Sequence, residues 1–369
     1  MRFLVACGGT AGHINPALAI ANELKSRCPD AEFLFVGTKN NREAELVPRA
    51  GYKIEFIEAN GFTRKTTFKA IKHNIKALCT FAGATSRVRK IIKNFAPDMA
   101  IGTGGFVSAP VIYTASKMKI PCVIHEQNAF AGVTTQMLAP RVDKIFLSFP
   151  IKNKLKCDET KCLLTGNPIK QDFLNITRAQ ARAELGLDET VPVVLSCGGS
   201  LGARKINEAF CTIARKSAEE EIIVHYPGAS ADYKYVCEKL GDVLEKPNIN
   251  VFEYIYNMPT VMAACDVVIN RSGAMTLTEI AALGKASILI PSPNVTENHQ
   301  YHNARTYSDV GAAILIEEKD LDGEKLYTLL KELCTDKVKL REMEAAAKNL
   351  ARTDAAGRIC DEIEAMLKK

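Results

Sequence analysis

Short β-branched and aromatic runs alternate along this chain with longer stretches of helical periodicity, the pattern of parallel βαβ units. Strands are predicted at Arg2–Ala6, Glu32–Val36, Tyr52–Ile57, Met99–Gly102, Pro121–His125 and Lys144–Phe149. A second series is predicted at Val193–Ser196, Glu221–Tyr226, Ile249–Tyr254, Asp266–Asn270, Ala286–Pro291 and Ala312–Ile316. Six strands in each half predict two similar α/β domains. An internal repeat supports the division: Cys7-Gly8-Gly9-Thr10-Ala11-Gly12 and Cys197-Gly198-Gly199-Ser200-Leu201-Gly202 share one pattern, each directly after a predicted strand. Gly166-Asn167-Pro168 breaks any regular element and predicts a linker near Leu164–Pro168, dividing the chain into 1–165 and 166–345. Residues 337–369 read as one or two amphipathic helices, and their pattern does not assign them to either domain.

With 369 residues, 47% hydrophobic and 24% charged, the chain is long enough for a substantial core and lies far from the composition of disordered proteins. No apolar run approaches the roughly 18 to 20 residues of a membrane-spanning helix, and Phe3–Cys7 runs straight into glycines. The chain is therefore expected neither to span a membrane nor to be secreted. The twelve cysteines lack metal-knuckle spacing and are expected to be mostly small buried hydrophobes. Of the net charge of +6, residues 61–97 contribute nine Lys or Arg and no Asp or Glu, so the rest is net negative. The basicity is local.

Glycines between a strand and a helix let backbone N–H groups approach a phosphate at the positive end of the helix. Two such loops predict two phosphate-facing edges, and neither has the spacing of a dinucleotide fingerprint or a P-loop. His13, one residue beyond the first loop, stands where an imidazole can take a proton from an attacking hydroxyl or merely cap a helix. His125-Glu126-Gln127-Asn128 ends an apolar strand as a second polar cluster. In the second half, Ser272 to Thr276 can present N–H groups to an anion, and Glu279, about one turn on, can accept paired ribose hydroxyls. The polar loop Pro291 to Gln300 follows another strand. Asp320-Leu321-Asp322 reads as solvated charge and a helix cap rather than a metal site.

On a helix, Lys65, Lys69, Lys72 and Lys76 fall within about 60° of one another, with Ile71, Ile75 and Leu78 on a neighbouring stripe. That arrangement suits an anionic membrane surface, or a core-facing stripe with a solvated basic face. No recognition motif accompanies the charge, so no nucleic-acid partner is expected.

The motifs together resemble one family closely, the bacterial MurG glycosyltransferases, which make lipid II on the cytoplasmic face of the membrane. The matching stretches are GGTAGHINPALAIA at 8–21, GTGGFVSAP at 102–110, HEQNAFAG at 125–132, GNPIK at 166–170, CGGSLGARKIN at 197–207, NRSGAMTLTEIAALGKASILIP at 270–291 and ENHQYHNA at 297–304. The resemblance implies a GT-B fold, two Rossmann-like domains with mostly parallel sheets facing a cleft, the last helix (about 346–369) returning to the first domain. It implies transfer of N-acetylglucosamine, with inversion, from its UDP conjugate to the C4 hydroxyl of lipid I, the undecaprenyl-pyrophosphoryl N-acetylmuramyl-pentapeptide. By the same resemblance Thr10, Ala11, Gly12 and Asn128 face donor sugar and acceptor, and Gly104, Gly105 and Phe106 join Thr10, His13 and Asn128 at the acceptor. Lys170 and Ser200 would meet the diphosphate, Ile255 the uracil, Ala274, Met275 and Thr276 the nucleotide, Glu279 the ribose, and His299 and Gln300 the sugar. Three positions depart from the family: Lys170 stands where Arg is common, Phe106 where Tyr is frequent and His299 where Gln is frequent.

The expected mechanism has His13 as base, with Glu126 the alternative. The Ser200 loop, its helix dipole and Lys170 stabilise the departing diphosphate, so neither metal nor cofactor is expected. A peripheral place on the cytoplasmic membrane face follows from the resemblance. The competing readings are a UDP-N-acetylglucosamine 2-epimerase and a non-catalytic nucleotide-sugar binder.

Overall fold

The computed structural model describes residues 1–61, 68–198, 203–220 and 223–368; side chains at 68–76, 78, 219, 220, 230 and 296 are not described. Lys65 and Ser200 therefore lie outside the described residues, as do the side chains of Lys69, Lys72, Ile75, Lys76 and Leu78. The chain forms two compact units, Met1–Ile169 with Asp354–Lys369, and Lys170–Thr353.

Unit 1 runs β1 (Arg2–Ala6), α1 (Ala11–Arg27), β2 (Glu32–Gly37), α2 (Glu43–Arg49), β3 (Lys53–Phe56), α3 (Phe68–Phe95) and β4 (Met99–Gly102). It continues through α4 (Gly105–Lys117), β5 (Cys122–Glu126), α5 (Val133–Leu138), β6 (Lys144–Leu147) and β7 (Cys162–Leu164). All seven strands are parallel, in the order β3-β2-β1-β4-β5-β6-β7. Because the order reverses beside β1, the helices that follow β1 and β4 pack on opposite faces of the sheet and leave a crevice at the strands' carboxyl ends. Strands covered on both faces read as continuous apolar runs, and β4 and β5 are buried throughout. One face packs Leu4, Ala6, Val107, Val111 and Ile124, and the other packs Phe3, Val5, Ile14, Ile20 and Ile101.

Unit 2 runs α6 (Arg178–Leu185), β8 (Val193–Cys197), α7 (Arg204–Glu220), β9 (Val224–Gly228), α8 (Tyr233–Leu240), α9 (Met258–Ala264) and β10 (Val267–Asn270). Then follow α10 (Ala274–Leu283), β11 (Ala286–Leu289), α11 (His299–Ser308), β12 (Ala313–Leu315), α12 (Gly323–Thr335) and α13 (Lys337–Asn349). Its five parallel strands take the order β12-β11-β10-β8-β9, reversing between β10 and β8. The last helix, α14 (Ala355–Leu367), belongs to unit 1. Ile359, Cys360 and Ile363 enter the core beside α1, and Arg27 donates to Asp361 at 2.6 Å and to the Gly357 carbonyl at 3.2 Å. The segment returning to unit 1 starts at Asp354 rather than at 346, since Leu340, Met343 and Ala347 of α13 are buried in unit 2.

Seven and five strands replace the expected six and six. The additional strand, β7, is a half-buried three-residue edge. Ile249–Tyr254 is not a strand, for a chemical reason: it runs parallel to β9, but Pro227 has no N–H to give. The ladder survives only as the His225–Ile249 and Gly228–Phe252 bridges, with Asn250 N–H on the His225 carbonyl at 3.0 Å and Phe252 N–H on the Pro227 carbonyl at 3.0 Å. Seven of the twelve cysteines are buried, and Cys122 is pushed up to about 12 by burial.

Candidate active site

In unit 1 the loops after β1, β4 and β5 converge at the crevice beside β1. Thr10 starts α1, its carbonyl accepting from the N–H groups of His13 (3.0 Å) and Ile14 (3.2 Å). The preceding Gly9 N–H donates to Glu43 at 3.0 Å. Glu43 is fully buried and also accepts from the Thr38 N–H (3.0 Å) and hydroxyl (2.6 Å), so α2 anchors the glycine loop. Gly104 and Gly105, at the start of α4, have φ of 102° and 75°. A Cβ on Gly105 would lie 2.2 Å from the Gly8 carbonyl oxygen, and one on Gly104 would lie 2.6 Å from His13 Nδ1. Only glycine permits both the backbone conformation and the approach. Two helix N-termini, those of α1 and α4, thus meet with no acidic residue in either first turn, a positive end for an anionic ligand. Phe106 lies along Gly9 and packs on the core; it has no hydroxyl to offer.

His13 is fixed from below. Its Nδ1 stands 2.9 Å from Gln127 Oε1 and 3.2 Å from the Thr103 carbonyl, while the Thr103 hydroxyl donates to the His13 carbonyl at 2.7 Å. A carbonyl only accepts, so Nδ1 carries the hydrogen and Nε2 keeps a lone pair.

Glu126 is placed differently from a base. It is buried, and its Oε1 accepts from the Asn128 N–H (3.0 Å) and amide (3.3 Å), its Oε2 from the Gly132 N–H (3.1 Å) and the Thr135 hydroxyl (2.5 Å). Four donors occupy both oxygens, and the carboxylate organises the loop that carries Asn128 into α5. His125 beneath it is pushed down to about 4 by burial, and so is His225 of unit 2, which pairs with Ser217 at 2.9 Å.

These two depressed histidines set a pH dependence of stability. Each is neutral when folded and protonates near 6.5 when unfolded, so between pH 6.5 and about 4 the unfolded chain binds more protons and stability falls with pH. Each contributes up to about 3 kcal/mol across that window. Urea denaturation of the wild type and of His225→Gln at pH 7 and pH 5.5 isolates the histidine contribution from that of Glu279, whose raised carboxyl has the opposite sign; the same pH dependence in both proteins would contradict it.

In unit 2 the equivalent crevice lies between β8 and β10. Asn270 donates to the Cys197 carbonyl at 2.7 Å, tying the two strand ends together. Ser272 is buried, its carbonyl accepting from Asn303 of α11 at 3.1 Å, and Arg271 donates to the Ile290 carbonyl at 3.0 Å and to Glu318. Ala274, Met275 and Thr276 form the first turn of α10, which again has no acidic residue. Desolvation pushes the half-buried Glu279 carboxyl up to about 8, with the Lys170 ammonium pulling it down. Gln300 Oε1 accepts from the Ser292 N–H at 2.8 Å, and α11, which begins at His299, follows two residues in the left-handed region, Glu297 and Asn298. Ile255 is buried behind Gly228. Asp322 caps α12 through the Glu324 and Lys325 N–H groups, as expected of the Asp320–Asp322 string. Among the described residues no group of three or more His, Cys, Asp or Glu is arranged to hold a metal.

Residues 3–147 match the glycosyltransferase family 28 N-terminal domain, and 193–359 match its C-terminal domain. The chain is 44% identical over its full length to 99% of an Acetivibrio thermocellus protein, "UDP-N-acetylglucosamine--N-acetylmuramyl-(pentapeptide) pyrophosphoryl-undecaprenol N-acetylglucosamine transferase". It is 40% identical, over 98% of this chain and 88% of the relative, to a Clostridioides difficile protein of the same name. Among solved structures it resembles Acinetobacter baumannii MurG (TM-score 0.78, 24% identity, 98% and 99% of the chains covered). A Neisseria meningitidis UDP-GlcNAc 2-epimerase bound to UDP-GlcNAc shares the fold (TM-score 0.67, 17% identity, both chains fully covered).

Proposed function

The chain belongs to glycosyltransferase family 28, among its MurG transferases with a GT-B fold, and we propose that it performs their reaction by a metal-independent, inverting mechanism with His13 as base. It transfers N-acetylglucosamine from UDP-N-acetylglucosamine to lipid I, forming lipid II for peptidoglycan synthesis. The observation that carries the mechanism is the His13 ring, held through Nδ1 with a basic Nε2 beside two helix N-termini.

In the proposed step the C4 hydroxyl of lipid I gives its proton to His13 Nε2 as its oxygen bonds the anomeric carbon. The bond to the UDP oxygen breaks on the opposite face. Charge then builds on the diphosphate, and the N-terminal end of α10, the Ser200 loop and Lys170 would stabilise it electrostatically. Lys170 meets a phosphate as a point charge, without the bidentate fork of arginine. Thr10, Ala11, Gly12, Gly104, Gly105, Phe106 and Asn128 would line the acceptor and sugar side. Ala274, Met275, Thr276, Glu279, Ile255, His299 and Gln300 would hold the nucleotide sugar. The test is UDP release in excess EDTA, with and without a short-chain lipid I analogue, with NMR of the product linkage. Acceptor-dependent release giving a β-linked product is expected; loss of turnover in EDTA, or an α-linked product, would overturn the mechanism.

We also place the enzyme peripherally, on the cytoplasmic face of an anionic membrane, docked through α3 and its neighbours. Among the described residues no helix is long and apolar enough to cross a membrane. Support comes from the described part of α3 and the helices beside it. Phe81 packs edge-on against Tyr113 at 5.7 Å, with Arg141 and Lys117 at 5.4 and 6.0 Å over that ring. Replacing Lys65, Lys69, Lys72 and Lys76 with glutamine should weaken binding to phosphatidylglycerol vesicles by about 1 kcal/mol per lysine. Turnover of a soluble short-chain acceptor should stay unchanged; undiminished vesicle binding would discard the docking face.

A further inference from the structure

We infer that Gln127 is a positioning residue that, together with the Thr103 carbonyl, fixes the tautomer of His13, and that its own orientation is imposed by His125 and by the backbone carbonyl of Gly166. The inference rests on the reading of His13 as base.

The chain of hydrogen bonds has one consistent polarity. Gly166 offers a carbonyl oxygen, which only accepts, 3.1 Å from His125 Nε2. His125 Nε2 must therefore carry its hydrogen, and since burial keeps this imidazole neutral, Nδ1 is a bare acceptor. The Ser148 hydroxyl, 3.1 Å from the same Nε2, fits this assignment because it can spend its single hydrogen on Asn167 Oδ1 at 2.7 Å. The group of Gln127 facing His125 Nδ1, at 2.9 Å, must then be its NH₂. That NH₂ also reaches the Thr103 carbonyl at 2.7 Å, another atom that can only accept. The amide oxygen of Gln127 is left pointing at His13 Nδ1. An amide turned the other way would set its NH₂ against the Nδ1–H of His13 and its oxygen against two acceptors.

Gln127 and His125 are both buried, so water offers no substitute partner, and the preference passes intact from Gly166 to His13. In water a neutral imidazole exchanges between its two tautomers, and only the one with a bare Nε2 can receive a proton there. His125 faces His13 through Gln127, and Glu126 is turned into its own loop.

The test is nitrogen-15 NMR of histidine-labelled full-length protein at pH 7.5, with His13 assigned by His13→Gln. The wild type should show protonated Nδ1 and bare Nε2 at His13, and the reverse at His125. Gln127→Met, which keeps the side-chain length but removes donor and acceptor, should mix the His13 tautomers and lower kcat about tenfold, with KM for UDP-N-acetylglucosamine within about twofold. A wild-type His13 protonated on Nε2 would overturn the inference, even if Gln127→Met proved unstable. So would a folded Gln127→Met with unchanged tautomer and kcat. Should His13→Gln itself retain the chemical step, the base reading fails while the tautomer assignment stands or falls on its own spectrum.

Discussion

His13→Ala is expected to slow the chemical step by about 10²- to 10⁴-fold, the usual worth of a positioned general base, while UDP-N-acetylglucosamine still binds. The expectation follows from placement: Nδ1 is committed to Gln127 and Thr103, which leaves the lone pair on Nε2, beside the N-termini of α1 and α4. The competing assignment to Glu126 predicts something different for Glu126→Gln. If Glu126 were the base, that variant would lose turnover with its fold intact. In the structure both Glu126 oxygens receive donors, so Gln would turn an NH₂ toward N–H groups and loosen the loop carrying Asn128. The expected signature is a lower melting temperature with a raised KM, not a selective loss of kcat. Single-turnover kinetics of both variants separates the assignments. A His13→Ala chemical step within a few-fold of wild type would remove His13 from the role.

Much of this site is legible in the sequence because its elements are local. A strand, a glycine pair and a helix start lie within a dozen residues, and their order puts His13 and Asn128 at strand exits, while Gly104 and Gly105 come from the family resemblance. What joins them is not local. Gly105 approaches Gly8, Glu43 reaches Gly9, and Gln127 reaches His13 across long sequence separations, and no periodicity announces such pairs. Glu126 is a further case: its four donors, from Asn128, Gly132 and Thr135, are not legible in the sequence cluster that contains it. The strand count fails for related reasons. Cys162–Leu164 is too short and too half-buried to stand out by pattern. Ile249–Tyr254 has the side chains of a strand, but its ladder depends on an N–H that Pro227, on another segment, cannot supply.

The largest stability effect is expected at Asp266, where unit 2 joins β8 to the helices behind it. Arg182 is fully buried, donating to Asp266 at 2.7 Å and to the carbonyls of Ala264 (3.0 Å), Asp188 (2.6 Å) and Val191 (2.9 Å). Asp266 also accepts from the Val193 N–H at 2.8 Å and from Arg178 at 3.0 Å. Nearby, Lys285 is buried on the carbonyls of Ala263 (2.6 Å) and Cys265 (2.7 Å), a third basic group beside Arg182 and Arg178. Asp266→Ala would strand the Arg182 guanidinium and the first N–H of β8 away from water, a loss of about 3 to 5 kcal/mol. Replacing both partners in Arg182→Met, Asp266→Met removes the uncompensated charge, so the double variant should be more stable than the sum of the two single losses predicts. Urea denaturation of the four proteins closes the cycle. A loss below about 1 kcal/mol for Asp266→Ala would mean that solvent reaches the pair and that the first residues of β8 and β10 are held by packing and the ladder alone.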